Sequence, residues 1–158
     1  MNNSVHRFVF EPSSSRFKRL KHLVGRPISD EFNIDDIHWV NNRIGITDYE
    51  GCSEAVLKGY VVINVAGELD SSAQIQADIN PDKGPVRSTL DGLAALINKI
   101  LTESDDAKIV VHCAMGMERS PLTVVWYLYK YQDKTLDEAY QIVEAAREST
   151  VDRRSWID

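Results

Sequence analysis

The sequence predicts an α/β fold: a single domain with a central, mostly parallel sheet flanked by helices. Three observations lead there. Val61-Val62-Ile63-Asn64-Val65 is a β-branched run of the kind that fills a buried strand. Leu90, Leu93, Ala94, Ile97 and Ile100 recur at helical spacing between Ser88 and Leu101. A further strand, Lys108 to Val111 with the apolar stretch Ile109-Val110-Val111, leads across a short loop into a helical pattern from Pro121 to Tyr131. Strands and helices that alternate in this way build parallel sheets. The loop after Val111 then lies at a strand's carboxyl end, where such sheets bind ligands.

The remaining elements follow in order. Ser13 to Ser15 after Pro12 reads as a loop, and Ile37 to Val40 as a short strand ending in a turn at Asn41-Asn42. Ser53 to Lys58 reads as a short helix stopped by Gly59. Gln74 to Ile79 alternates weakly and is expected as a strand, followed by a loop from Pro81 to Pro85. Leu122, Val125, Trp126 and Tyr129 fall on one helical face, with the aromatics read as core. Thr135 and Glu138 have capping-box spacing and open a last helix ending near Arg147.

Composition narrows the function classes. The 158 residues suffice for one domain with a sizeable core, and 43% hydrophobic with 27% charged residues is ordinary for a soluble protein. No apolar run approaches membrane-spanning length, and the first residues lack the apolar stretch of a secretory signal. Two cysteines, spaced C-x60-C, match no zinc pattern and suit a reducing, cytoplasmic setting. Cys52 reads as a buried or turn thiol. A net charge of −6 argues against a nucleic-acid partner. The charge is uneven: residues 1–26 hold six Lys/Arg and one acid, leaving 12 bases against 23 acids in the rest. Arg16 to Lys21 forms the centre of this basic arm.

The chemistry is concentrated in His112-Cys113-Ala114-Met115-Gly116-Met117-Glu118-Arg119-Ser120. Five residues between a cysteine and an arginine can wrap one loop around an anion, with backbone N–H groups pointing inward. The loop opens onto a helix N-terminus, whose partial positive charge also favours an anion. Ala114 to Arg119 are therefore the expected substrate-binding residues. Arg119 can grip two oxygens with its planar fork. Gly116 stands where backbone must approach a ligand closely. Cys113 at the floor is placed to act as a thiolate nucleophile.

These residues, HCxxGxxRS from His112 to Ser120, resemble the active-site loop of cysteine-dependent protein tyrosine phosphatases, specifically the compact dual-specificity branch. The likeness extends from about Ile37 to about Arg147. It implies a phosphatase-like fold with the cysteine loop between a strand and a helix. It also implies phosphate monoester hydrolysis through a phosphocysteine intermediate. The catalytic domain is expected over 31–158, behind a basic arm over 1–30 with a strand plus loop. No cofactor or metal is expected, because the cradle itself supplies the positive field.

The leaving group needs a proton, so a carboxylic acid is required on a nearby loop. Asp82, 31 residues before Cys113 in Pro81-Asp82-Lys83-Gly84, is the candidate; relatives of this family place their general acid at about this spacing. Asp78 is the alternative, expected within a strand. Ser120 can donate its hydroxyl to the Cys113 thiolate, cap the following helix, or both. The resemblance gives His112 a loop-ordering role as a buried, satisfied histidine. His6, His22 and His38 are assigned no role. Glu118 departs from a loop built for anions and is expected to point to solvent; facing the mouth, it would disfavour highly charged substrates. Phosphoproteins are the expected substrates: phosphotyrosine, with phosphoserine and phosphothreonine open in a shallow cleft. Three rival readings remain: a rhodanese-like phosphatase, which also carries HCx5R; a phosphate-recognising binding module without turnover; and a phosphatase for a lipid, glucan or nucleotide.

Overall fold

The computed structural model describes residues 24–158. The basic run Arg16 to Lys21, His6, His22 and the loop Ser13 to Ser15 lie outside the described residues. The five strands, β1 (His38–Trp39), β2 (Ile44–Thr47), β3 (Val61–Asn64), β4 (Ile75–Gln76) and β5 (Ile109–His112), form one sheet in the order β1-β2-β5-β3-β4. β5 pairs in parallel with both β2 and β3, and β4 in parallel with β3; only β1 runs antiparallel, against β2.

Strand alternation assigns each residue a layer. Ile63, Ile109 and Val111 face a large core built with α2 (Arg87–Glu103), α3 (Arg119–Tyr131) and α4 (Leu136–Ala146). Val62 and Val110 face the opposite side, where α1 (Cys52–Leu57) packs through Cys52 and Ala55. By the same alternation the last residues of β3 and β5, Asn64 and His112, turn toward the α1 side. Helix α3 lies between α2 and α4, so Leu122 to Leu128 are all buried, and its burial is not confined to one stripe. Tyr129, expected in that stripe, is instead 42% exposed. The Trp126 indole is buried and donates to Asp91 at 2.7 Å.

The structure departs from expectation in the sheet and in the loop that follows β4. β2 was not anticipated: Gly45 breaks its β-branched pattern, but a side chain there would collide with Ile37 and Trp39, so the strand needs the gap. β4 keeps two residues of the expected six, its backbone continuing through Ala77 N–H to Asn64 O and Ile79 N–H to Val65 O. Asp78 therefore lies after the strand, and Pro81–Lys83 closes as a single 3-10 turn with Asn80 Oδ1 accepting from Asp82 N–H. The strand expected over Ile37 to Val40 is likewise shorter, His38–Trp39, whereas the helix signals hold: Gly59 ends α1 at φ +83°, and Thr135 and Glu138 exchange both capping-box hydrogen bonds at 3.1 and 2.9 Å. No described helix is long and apolar enough to cross a membrane.

Candidate active site

The parallel strands β2, β3, β4 and β5 deliver their following loops to one end of the sheet. The loop Cys113 to Glu118 leaves β5 there and enters α3 at Arg119. Every carbonyl of this loop is engaged by a donor. His112 Nδ1 lies 2.9 Å from Cys113 O, and Tyr49 N–H donates to Ala114 O at 3.0 Å. Arg147 donates to Met115 O at 3.0 Å and Gly116 O at 2.7 Å. Val151 N–H donates to Met117 O at 2.7 Å, and Leu122 N–H to Glu118 O at 3.1 Å. In a trans peptide the N–H points opposite to the C=O. The N–H groups of Ala114 to Arg119 consequently turn away from these donors, and none has an acceptor among the described residues. Enclosed donors left in this way call for an acceptor, and a nest of them suits an anion.

Gly116 adopts φ +65°, and a side chain there would press on Arg147 and on Thr47 O at 2.6 Å. Its requirement is thus set from behind the loop as well as by the left-handed turn. Arg147 is fully buried and spends all five N–H groups: on the two loop carbonyls, Ile34 O at 2.9 Å, Asp36 O at 3.3 Å and His38 Nδ1 at 2.6 Å. His38, given no role from sequence, is an acceptor for this arginine and stacks on Phe32. Burial first, then the Arg147 charge, lowers the His38 pKa to about 4, so it stays uncharged at neutral pH.

Cys113 is 3% exposed and its Sγ lies 3.3 Å from Ser120 Oγ. Ser120 sits inside the first turn of α3, while Glu118 occupies the cap, so Ser120 is free of the capping role. His112 is fully buried; the Cys113 carbonyl makes its Nδ1 a donor, and Nε2 lies 2.8 Å from Ser71 Oγ. Ser71 also lies 3.6 Å from Cys52 Sγ, so Cys52 is the buried thiol expected. Burial raises the Cys52 pKa, but hydrogen bonds from His112 and Ser71 outweigh it and bring the thiol down to about 7.

Cys113, Ala114, Met115, Met117, Glu118 and Arg119 line a cleft of about 150 Å³ together with Val151 and Arg153. Glu118 does not simply face solvent: Arg153 Nε donates to its carboxylate at 2.7 Å on the cleft wall, which compensates its charge. Arg119 forms a two-pronged pair with Glu68, which holds the Glu68 carboxyl below its usual range through the arginine's hydrogen bonds. Asp82 lies on the exposed turn Pro81–Lys83, outside the residues lining the cleft, and its carboxylate has no hydrogen-bond partner among the described residues. Asp78 accepts from Gly67 N–H at 3.2 Å and from Lys83 at 3.4 Å. Arg147, Val151, Arg153 and Glu68 escaped the sequence reading because each reaches the loop from a distant element with no local motif. Among the described residues no His, Cys, Asp and Glu side chains gather in threes as a metal-ligand set.

Behind the loop, Asp48 is buried and its Oδ1 accepts from Gly51 N–H at 2.8 Å. Burial first, then the hydrogen bond and charge of Asp35, push its carboxyl far above the usual carboxylate range. The folded chain therefore keeps a proton that the unfolded chain releases near pH 4. This contribution is full below about pH 4 and declines as pH rises through neutrality. Asp48→Asn retains an acceptor for Gly51 and a donor for Asp35. Thermal melts from pH 5 to 9 are expected to show wild type losing stability relative to this variant; parallel curves would refute it.

Comparison with known proteins agrees with this geometry. Protein-tyrosine-phosphatase IBR5 of Arabidopsis thaliana is 46% identical over 48 residues, 30% of this chain, and the match spans 19% of that relative's length. Crystal structures of human DUSP28 and of a mouse putative dual specificity phosphatase complexed with zinc tungstate both superpose with a TM-score of 0.66. The first is 15% identical over 76% of this chain and 86% of that one, the second 18% over 82% and 86%. At that identity the likeness speaks for the fold. The model of the dual specificity phosphatase catalytic domain matches residues 36–158, which takes in the whole sheet, the cysteine loop and the cleft, and the chain belongs to that family.

Proposed function

We propose that this chain hydrolyses phosphate monoesters on proteins, phosphotyrosine and also phosphoserine or phosphothreonine, in the cytoplasm and without a metal. What supports the reading most is the loop itself: six carbonyls engaged outward and the intervening N–H groups left for an anion above Cys113. Cys113 Sγ attacks phosphorus in line with the ester oxygen. An S–P bond forms, the P–O bond breaks, and Asp82 protonates the leaving oxygen. Asp82 then takes a proton from water, which attacks phosphorus and releases inorganic phosphate and the thiolate. Ser120 Oγ, 3.3 Å from Sγ, stabilises that thiolate as it leaves. Positioning and preorganised positive charge carry most of the catalysis in phosphoryl transfer.

The test is hydrolysis of p-nitrophenyl phosphate and of phosphopeptides in EDTA. Asp82→Ala is expected to lower turnover about 100-fold on poor leaving groups and much less on p-nitrophenolate. If Asp78→Ala shows that pattern instead, the acid is Asp78. A folded wild type that binds phosphate without turnover would make the chain a recognition module.

A further inference from the structure

Arg119 can offer an anion either the end of its guanidinium, Nη1 with Nη2, or the side, Nε with Nη2. Both bind a carboxylate through two parallel hydrogen bonds. Glu68 takes the end: Nη1 donates to Oε1 and Nη2 to Oε2, each at 2.7 Å. The side edge remains. Arg87 shows the other mode in the same molecule, meeting Asp158 through Nε and Nη2 at 2.8 and 2.9 Å. Glu68 thus consumes the edge of Arg119 that a phosphoryl group in the cradle does not need.

The loop that carries Glu68 is fastened. The buried Asn64 side chain accepts from Ala66 N–H at 2.8 Å and donates to Ala66 O at 3.2 Å and Leu69 O at 3.4 Å. Leu69 N–H closes the turn onto Ala66 O at 3.0 Å, and Gly67 N–H is held by Asp78. Gly67 lies against Asp78 so closely that a side chain there would collide with it. Downstream, Tyr49 Oη donates to Asp70 O at 2.9 Å. A fixed support behind a charged side chain is what preorganisation requires.

We propose that Glu68 is a positioning residue for oxyanion recognition, locking the Arg119 guanidinium end-on so that its Nε edge meets the phosphoryl oxygens. The inference rests on the phosphatase reading of the cleft. The opposite role, a carboxylate competing with substrate for Arg119, predicts the opposite sign, because removing a negative charge beside an anion site strengthens anion binding.

The experiment measures orthovanadate and inorganic phosphate inhibition constants, with kcat and KM on p-nitrophenyl phosphate, for wild type, Glu68→Gln and Glu68→Ala. Wild type that binds neither oxyanion would fail the phosphatase reading itself. Given wild-type binding, both variants are expected to weaken vanadate about 10-fold and to lower kcat/KM by a similar factor. Their melting temperatures are expected to stay within about 2 °C of wild type, because the Glu68 side chain is 56% exposed. In an Arg119→Lys background, where no fork exists to be held, Glu68→Gln is expected to add less than about 2-fold. Unchanged or tighter oxyanion binding in the single variants, or an equal loss in the Arg119→Lys background, would overturn the proposal.

Discussion

Cys113→Ser is expected to abolish turnover while leaving the anion cradle intact. The serine hydroxyl is smaller than the thiol, keeps Ser120 as a neighbour, and alters none of the six carbonyl contacts that shape the loop. It remains protonated at neutral pH, so the nucleophile is lost and the binding groups are not. The loss in kcat is expected to exceed about 1,000-fold, with the dissociation constant for inorganic phosphate within about 3-fold of wild type. Single-turnover assays beside calorimetric titrations with inorganic phosphate separate the two quantities. Residual hydrolysis above about 1% of wild type would remove Cys113 from the nucleophile role.

Arg147→Met is expected to cost both fold and activity. The substitution leaves the carbonyls of Ile34, Asp36, Met115 and Gly116 and the His38 Nδ1 without their donor in a fully buried setting. Removing one partner of such a buried charged network costs about 3–5 kcal/mol. For a chain of this size that is a fall in melting temperature of about 10 °C or more. Two loop carbonyls become free to rotate, so oxyanion affinity is expected to fall further than stability alone explains. Arg147→Lys, with three donors for five acceptors, is expected to lie between the two. A variant that melts like wild type and binds vanadate normally would show that the loop holds its shape without this arginine.

The parts visible in the sequence share a local origin. Val61 to Ile63 and Ile109 to Val111 announce themselves because a strand packed on both faces is apolar at successive positions. The cysteine loop is visible because its chemistry requires specific residues at consecutive positions. The proposal of Asp82 as general acid rests on the family's spacing alone, since nothing in a turn such as Pro81–Lys83 distinguishes a catalytic carboxylate from a turn former. What the sequence hides is the support of the site. Arg147 is an ordinary charged residue at a helix end until the fold places it beneath Met115 and Gly116. Glu68 and Arg153 are surface-type residues whose partners lie 51 and 35 positions away. Periodicity reports which face of an element is buried, and it carries no information on which distant side chain meets a loop.

The wall of the site formed by residues 24 to 36 bears on what counts as the unit of this enzyme-like fold. The family match begins at residue 36, yet Val24, Ile28, Phe32 and Ile34 pack against Met115, Met117 and Val151. Arg26 donates to the carbonyls of Glu148 and Thr150, directly before the residue that holds Met117 O. Homology therefore draws the domain border through the middle of a packed layer. Two chains that share the matched region can differ in this preceding stretch and so in the shape and stiffness of the floor beneath the same nine residues. Divergence among such relatives can act on the reactive loop from outside the part that alignment would call the domain.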